Sequence, residues 1–142
     1  MKPFLLDVNV LVALFWRTHI HHQAANQWLM ENRHAGLRTC PITQAGFVRI
    51  TSHPRYSGDR MTVTEAQTAL NSLLIQPEHQ FWPDTLQLAE AIRHTGPISG
   101  HQQITDAYLV ALAIANGGRL ATFDRAPLAL AGAKGIVEVI VC

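Results

Sequence analysis

Apolar and polar positions alternate along this chain in a way that marks strands and helices in turn. Phe4-Leu5-Leu6 is a short apolar run ending at Asp7, the pattern of a strand buried on both faces. Val8–Phe15 stays apolar long enough for a helical turn or two. His19–Glu31 carries Ala24, Ala25, Trp28 and Leu29 as a stripe at helical spacing. Gly36 closes that helix, and Leu37–Cys40 reads as a second strand. Pro41 stands where a helix begins, with Ile42–Ile50 as its body. The segment from His53 to Gly58 reads as a loop. Thr64–Leu74 is amphipathic, with Ala66, Ala69, Leu70, Leu73 and Leu74 facing inward. Gln80-Phe81-Trp82 reads as a short strand and Leu86–Ile92 as a helix closed by Gly96-Pro97. Thr105 is the expected N-cap of a helix that is apolar all round from Ala107 to Ala115 and therefore interior. Asn116-Gly117-Gly118 stops it. Arg119–Thr122 and Ile136–Val141 are the last two strands. This alternation predicts one α/β domain over residues 1–142, a three-layer α/β/α sandwich around a mostly parallel sheet.

Composition supports a packed core. Of 142 residues, 48% are hydrophobic and 15% charged, against roughly 25% charged in an average globular chain, so disorder as the main state is excluded. A chain of this length buries enough surface to fold without disulfides. The two cysteines, Cys40 and Cys142, show no metal-finger spacing, and Cys40 reads as a buried thiol at a strand end. No apolar run is long enough for a membrane span. The apolar N-terminus is interrupted by Asp7 and Asn9 without a small-residue cleavage site, so a soluble, cytoplasmic protein is expected. The net charge of +1, from 11 basic and 10 acidic residues, argues against a strongly basic nucleic-acid binder.

In a chain with so few acids, three positions stand out. Asp7 follows the first strand, Asp106 opens the most apolar helix, and Asp124 follows the strand Arg119–Thr122. Taken singly, Asp7 is an N-cap, Asp106 a first-turn carboxylate favoured by the helix dipole, and Asp124 a turn residue. Together they are predicted to converge where strands end and helices begin, the usual place for a site in an open α/β sheet. Clustered carboxylates repel unless a cation neutralises them, and carboxylate with water suits Mg²⁺ or Mn²⁺ better than zinc.

The segments Leu5-Leu6-Asp7-Val8-Asn9-Val10-Leu11, Thr105-Asp106-Ala107-Tyr108-Leu109 and Thr122-Phe123-Asp124-Arg125 resemble, in order and spacing, the PIN-domain nucleases, specifically the VapC-type ribonuclease toxins of type II toxin–antitoxin systems. The resemblance implies a metal-dependent endoribonuclease leaving a 5′-phosphate and a 3′-hydroxyl, with Asp7, Asp106 and Asp124 as catalytic and metal-holding residues. It implies supporting roles for Asn9 and Thr122 beside the first and last aspartates. It also implies an RNA substrate such as tRNA or another structured RNA, a cognate antitoxin that inhibits the nuclease, and a homodimer.

One departure is visible. The family usually carries a Glu in the third helix, yet no acid occurs between Glu31 and Asp59; Gln44 stands near that place as an uncharged substitute. A catalytically weak member that binds RNA or antitoxin is therefore the alternative. A phosphatase of the haloacid-dehalogenase type, which needs a second Asp where Asn9 stands, is disfavoured. Arg49, Arg125 and His101 are candidates for RNA phosphate contacts, with salt bridges or a plain loop role as the alternatives. His19, His21 and His22 lack an evident third metal ligand, and Trp16, Trp28 and Trp82 read as core.

Overall fold

A computed structural model describes residues 1–54 and 61–141 of the chain. Five strands form one sheet: β1 (Phe4–Leu6), β2 (Leu37–Thr39), β3 (His79–Phe81), β4 (Arg119–Thr122) and β5 (Val137–Val139). Their order is β3-β2-β1-β4-β5, and every pairing is parallel, which is stronger than the mostly parallel sheet expected. A parallel ladder needs a crossover between strands. The helices supply these: α1 (Val8–Phe15), α2 (His22–Asn32), α3 (Pro41–Thr51), α4 (Val63–Leu74), α5 (Leu88–Thr95) and α6 (Ile104–Ala115).

The period of two along β1 builds both cores. Phe4 and Leu6 point into a cluster with Val10, Leu11, Trp28, Phe47 and Leu70 from α1 to α4. Leu5 points the other way, against Tyr108, Leu109, Leu112, Leu120 and Trp82 beside α5 and α6. The three layers are thus helices, sheet, helices. Trp16, Trp28 and Trp82 are all buried, as is Cys40. Ala107 to Ala113 of α6 are buried on every side, as their unbroken apolar run requires.

Several boundaries differ from expectation for local reasons. Thr105 does not cap α6. A 3-10 turn at His101–Gln103 winds directly into the helix, and Gln103 occupies the cap position without a capping side-chain bond to it. Thr62 and Glu65 form a reciprocal capping box that starts α4 one residue early. Leu86 stays outside α5 because its carbonyl accepts the Tyr108 hydroxyl at 2.9 Å. Of the expected loop from His53 to Gly58, all but His53 and Pro54 lies outside the described residues.

Gly118 joins α6 to β4 in a space without room for a side chain. A Cβ there would meet Trp82 Cη2 at 2.5 Å and the Pro3 carbonyl oxygen at 2.9 Å. That carbonyl accepts the Arg119 amide at 2.8 Å and is not free to move. Gly118→Ala is expected to destabilise the protein by about 1–3 kcal/mol, the usual cost of overpacking. A urea unfolding midpoint equal to wild type would show the contact to be soft.

Candidate active site

β1 and β4 are adjacent and parallel, so their carboxyl ends deliver the residues after Leu6 and Thr122 to the same edge. Asp7 leaves β1 with its amide on the Ala121 carbonyl at 3.0 Å, then caps α1 by accepting the Val8 amide on Oδ1 at 2.8 Å. The N-cap reading of Asp7 is therefore correct, but it uses only one carboxylate oxygen. The other, Oδ2, accepts the Thr122 hydroxyl at 2.8 Å.

Thr122 is fully buried and its hydroxyl is fully used. It donates its one proton to Asp7 and accepts from the Asp124 amide at 3.0 Å and from Asn9 Nδ2 at 3.1 Å. One donor and two lone pairs are all a hydroxyl has. Asn9 Oδ1 accepts the Phe123 amide at 3.3 Å, which completes the link from the start of α1 to the loop after β4. The supporting positions of Asn9 and Thr122 are thus hydrogen-bonded to Asp7 and to the backbone that carries Asp124.

Asp106 reaches this edge from the other helical layer, in the first turn of α6. Burial raises its carboxyl to about 6, and the charges of Asp7 and Asp124 push in the same direction. Asp7 is also raised, first by burial and further by Asp124, although the bonds from Thr122 and Val8 hold it down in part. Asp7 and Asp106 therefore both stand within reach of the Asp124 charge at one edge.

Among the described residues, no three His, Cys, Asp or Glu side chains are placed to hold a metal ion between them. The donors here are carboxylates around an edge where Asp124 stands exposed. That set fits a hard cation that keeps several of its waters and takes one or two carboxylates from the protein, as Mg²⁺ does.

The PIN domain family model matches residues 4–133. Ribonuclease VapC39 of Mycobacterium tuberculosis is 42% identical over 137 residues, 96% of this chain and 98% of that protein. The chain belongs to the VapC ribonuclease family of PIN-domain proteins. Its fold agrees with solved members. Mycobacterium tuberculosis VapC20, a Sarcin-Ricin loop cleaving toxin, has a TM-score of 0.66 at 16% identity, covering 97% of this chain and 99% of its own. VapBC2 from Rickettsia felis, bound to a DNA fragment from their promoter, has a TM-score of 0.63 at 16% identity, covering 96% and 98%.

The remaining positions of this VapC-family chain divide clearly. Arg125 follows Asp124 and is exposed, His101 is exposed in the turn leading into α6, and Arg49 is exposed on α3. Among the described residues neither arginine is in an ion pair; the pairs are Arg33 with Glu78 and Arg119 with Glu138. Gln44 has a partner of its own on β2. Its Nε2 donates to Thr39 Oγ1 at 2.9 Å, a hydroxyl also bonded to His79 Nε2 at 2.8 Å. The α3 residue that abuts the turn after Asp7 is Gly46, where a Cβ would meet Val8 Cγ2 at 2.6 Å. At Gly46, α3 therefore packs closely on the start of α1.

His21, read from the sequence as one of three clustered histidines without a third metal ligand, has a packing role whose partner the sequence did not name. Its ring stacks on Phe123 with centroids 4.7 Å apart and planes at 15°, bracing the residue before Asp124. Nothing in the local pattern signals this, because residues 21 and 123 meet only through the fold. His22 Nδ1 is bonded to the Ala13 carbonyl at 2.8 Å, and His19 Nδ1 accepts the His21 amide at 3.0 Å. Burial, with His21 and His22 nearby, holds the His19 imidazole below its usual range. These histidines are structural.

Proposed function

We propose that this chain is an endoribonuclease toxin that hydrolyses RNA phosphodiester bonds with Mg²⁺ or Mn²⁺ held by Asp7, Asp106 and Asp124. The observation that carries the reading is the delivery of Asp7 and Asp124 to one edge by the adjacent parallel strands β1 and β4, near enough to the first turn of α6 that, beyond burial, their charges raise the Asp106 carboxyl. A protein keeps such repulsion where a cation or a reaction uses it. When bound, a divalent cation there supplies charge neutralisation for the phosphate and a water of lowered pKa.

The chain's own residues do the positioning. Thr122 and Val8 fix both oxygens of Asp7, so the carboxylate does not swing away when an RNA strand enters. Asn9 ties the start of α1 to the loop bearing Asp124. Asp106 enters from the opposite layer, so the acids approach a substrate from two sides. Arg125, His101 and Arg49 supply exposed donors for neighbouring phosphates. Taking the three site acids from the ten leaves seven acids against eleven bases elsewhere, a balance that suits an RNA partner once the site carries metal.

The substrate class favoured is structured RNA, tRNA included, since the related VapC20 is named for cleaving the Sarcin-Ricin loop. VapBC assemblies among the structural relatives support neutralisation by a cognate antitoxin, and a homodimer is the expected free state.

The test is incubation of total RNA with purified protein in Mg²⁺, Mn²⁺ or EDTA. Cleavage restricted to the metal-containing reactions is expected, with 5′-phosphate and 3′-hydroxyl ends. RNA binding without cleavage under any metal would return the binding-regulator reading. Gln44→Glu is expected to leave the metal concentration for half-maximal rate unchanged, because residue 44 is turned toward Thr39. A clear fall in that concentration would place residue 44 in the ligand shell after all.

A further inference from the structure

Asp124 is held differently from Asp7. Asp7 has a hydrogen bond on each carboxylate oxygen, from Val8 and from Thr122. Among the described residues no hydrogen bond reaches the Asp124 carboxylate; the tie at this residue is its amide, on Thr122 Oγ1 at 3.0 Å. The place of that carboxylate is therefore decided by the backbone of the loop after β4. Phe123, the residue before it, is held by its amide, which donates to Asn9 Oδ1 over a long 3.3 Å, and by its ring. The ring is half-buried at the margin of the core beneath α1 to α4, and the His21 imidazole lies against it.

His21 is itself anchored. Its amide donates to His19 Nδ1 at 3.0 Å, and its carbonyl accepts the Ala25 amide at 2.9 Å in the first turn of α2. Next to it, His22 Nδ1 is bonded to the Ala13 carbonyl at 2.8 Å, which ties α2 to α1. His21 stands directly before α2, where Ser, Thr, Asp or Asn commonly caps a helix. Its backbone, at φ −102° and ψ 12°, is not the extended one of a capping residue, and its side chain caps no amide. The ring is turned to Phe123 instead, with centroids 4.7 Å apart and planes at 15°, inside the favourable range for aromatic pairs.

We propose that His21 is a positioning residue for Asp124: through its stack on Phe123 it fixes the loop after β4, and so the place from which that acid meets the scissile phosphate. This rests on the reading of Asp124 as a site acid. His21 touches no reacting atom. One long hydrogen bond holds Phe123 at a single point, about which the loop can pivot. A flat ring pressed on the Phe123 ring adds a second point of attachment away from the amide and blocks that rotation. The first residue before α2 thereby sets the last of the three acids, 103 positions further along the chain.

The test compares His21→Ala, His21→Phe, Phe123→Leu and the double variant of His21→Ala with Phe123→Leu, each in the full chain. Steady-state cleavage in Mg²⁺ of one RNA that wild type cuts gives kcat and KM. Amide hydrogen exchange of the metal-free protein reads opening of the loop. The Leu120 amide, on the Ile136 carbonyl at 2.8 Å, serves as the internal standard on β4. His21→Ala is expected to lower kcat about tenfold with KM within about twofold, short of the roughly 10²-fold that a 1 Å misplacement can cost. It should also speed exchange of the Phe123 and Asp124 amides severalfold and leave Leu120 unchanged. His21→Phe keeps a flat ring and should restore both readouts. The double variant should lose no more than the worse single one, because both substitutions break the same contact. Undiminished kcat in His21→Ala, no rescue by His21→Phe, or fully additive losses would overturn the proposal. So would a rise in KM alone, which would make the stack an RNA contact, or a Leu120 amide that speeds as much as Asp124. If His21→Ala does not fold, His21→Leu, which keeps apolar bulk without the flat ring, takes its place. If wild type cuts no RNA in any metal, the nuclease reading fails separately, and the exchange rates still decide whether His21 holds the loop.

Discussion

Asp106→Asn is expected to abolish RNA cleavage and at the same time to raise the melting temperature of the metal-free protein. The two effects share one cause. The first turn of a helix favours a carboxylate by about 0.3–1 kcal/mol. Asp106 is nevertheless raised to about 6, so burial together with Asp7 and Asp124 outweighs the dipole. An acid raised from 3.8 to about 6 binds its proton more tightly in the folded state than in the unfolded one. Its contribution to stability is therefore intact below about pH 4 and declines as pH rises to about 6. Metal-free wild type should melt lower at pH 7 than at pH 4.5 on this account, and the Asn variant should lose that part of the slope. Cleavage should fall by at least about 10²-fold, beyond the scale of losing a residue that merely orients a ligand. Thermal unfolding across pH and a total-RNA cleavage assay read both effects. Undiminished cleavage by the variant would remove Asp106 from the mechanism. An unchanged pH slope would remove the electrostatic reason for it.

Thr122 gives the second large effect, and here the contrast between two substitutions is the measurement. Thr122→Val keeps the shape of the side chain but removes the hydroxyl that serves Asp7, Asp124 and Asn9. Each buried partner left unpaired costs about 1–3 kcal/mol, and the Asp7 oxygen is the most enclosed of them. The bond from Thr122 is also the main influence holding the Asp7 carboxyl down against burial, so its loss should push that carboxyl further up. Activity of the Val variant should drop by about 10–100-fold and recover in part toward higher pH, where Asp7 ionises. Thr122→Ser restores the hydroxyl and should keep most of the activity. A pH–rate profile and urea unfolding of both variants test this. Similar behaviour of Val and Ser would mean that the methyl group, not the hydroxyl, is what the site needs.

Most of the architecture was legible because it rests on local pattern. The unbroken apolar run in α6, the Phe4-Leu5-Leu6 run and the Asn116-Gly117-Gly118 stop each express a requirement that acts within a few residues. The places where the reading shifted are those where a distant group took over a local task. Leu86 was drawn out of α5 by Tyr108, and the cap role of Thr105 was displaced by a preceding turn. Gln44 reads as a candidate from its place in α3, but its amide is turned to Thr39 on β2.

By itself, the chain determined the element types and a mostly parallel sheet, and it singled out Asp7, Asp106 and Asp124 among ten acids as the site candidates. Periodicity and residue chemistry suffice for those, since burial and hydrogen-bonding capacity are properties of each segment. Only the tertiary structure decided that one hydroxyl, Thr122, is shared among Asp7, Asp124 and Asn9, and that His21 braces Phe123. It also decided that Gly46 of α3 packs against Val8 and that Glu138 meets both Trp28 and Arg119. Those are contacts between residues up to about a hundred or more positions apart. Their existence depends on strand order and register, which set distances that no local pattern encodes.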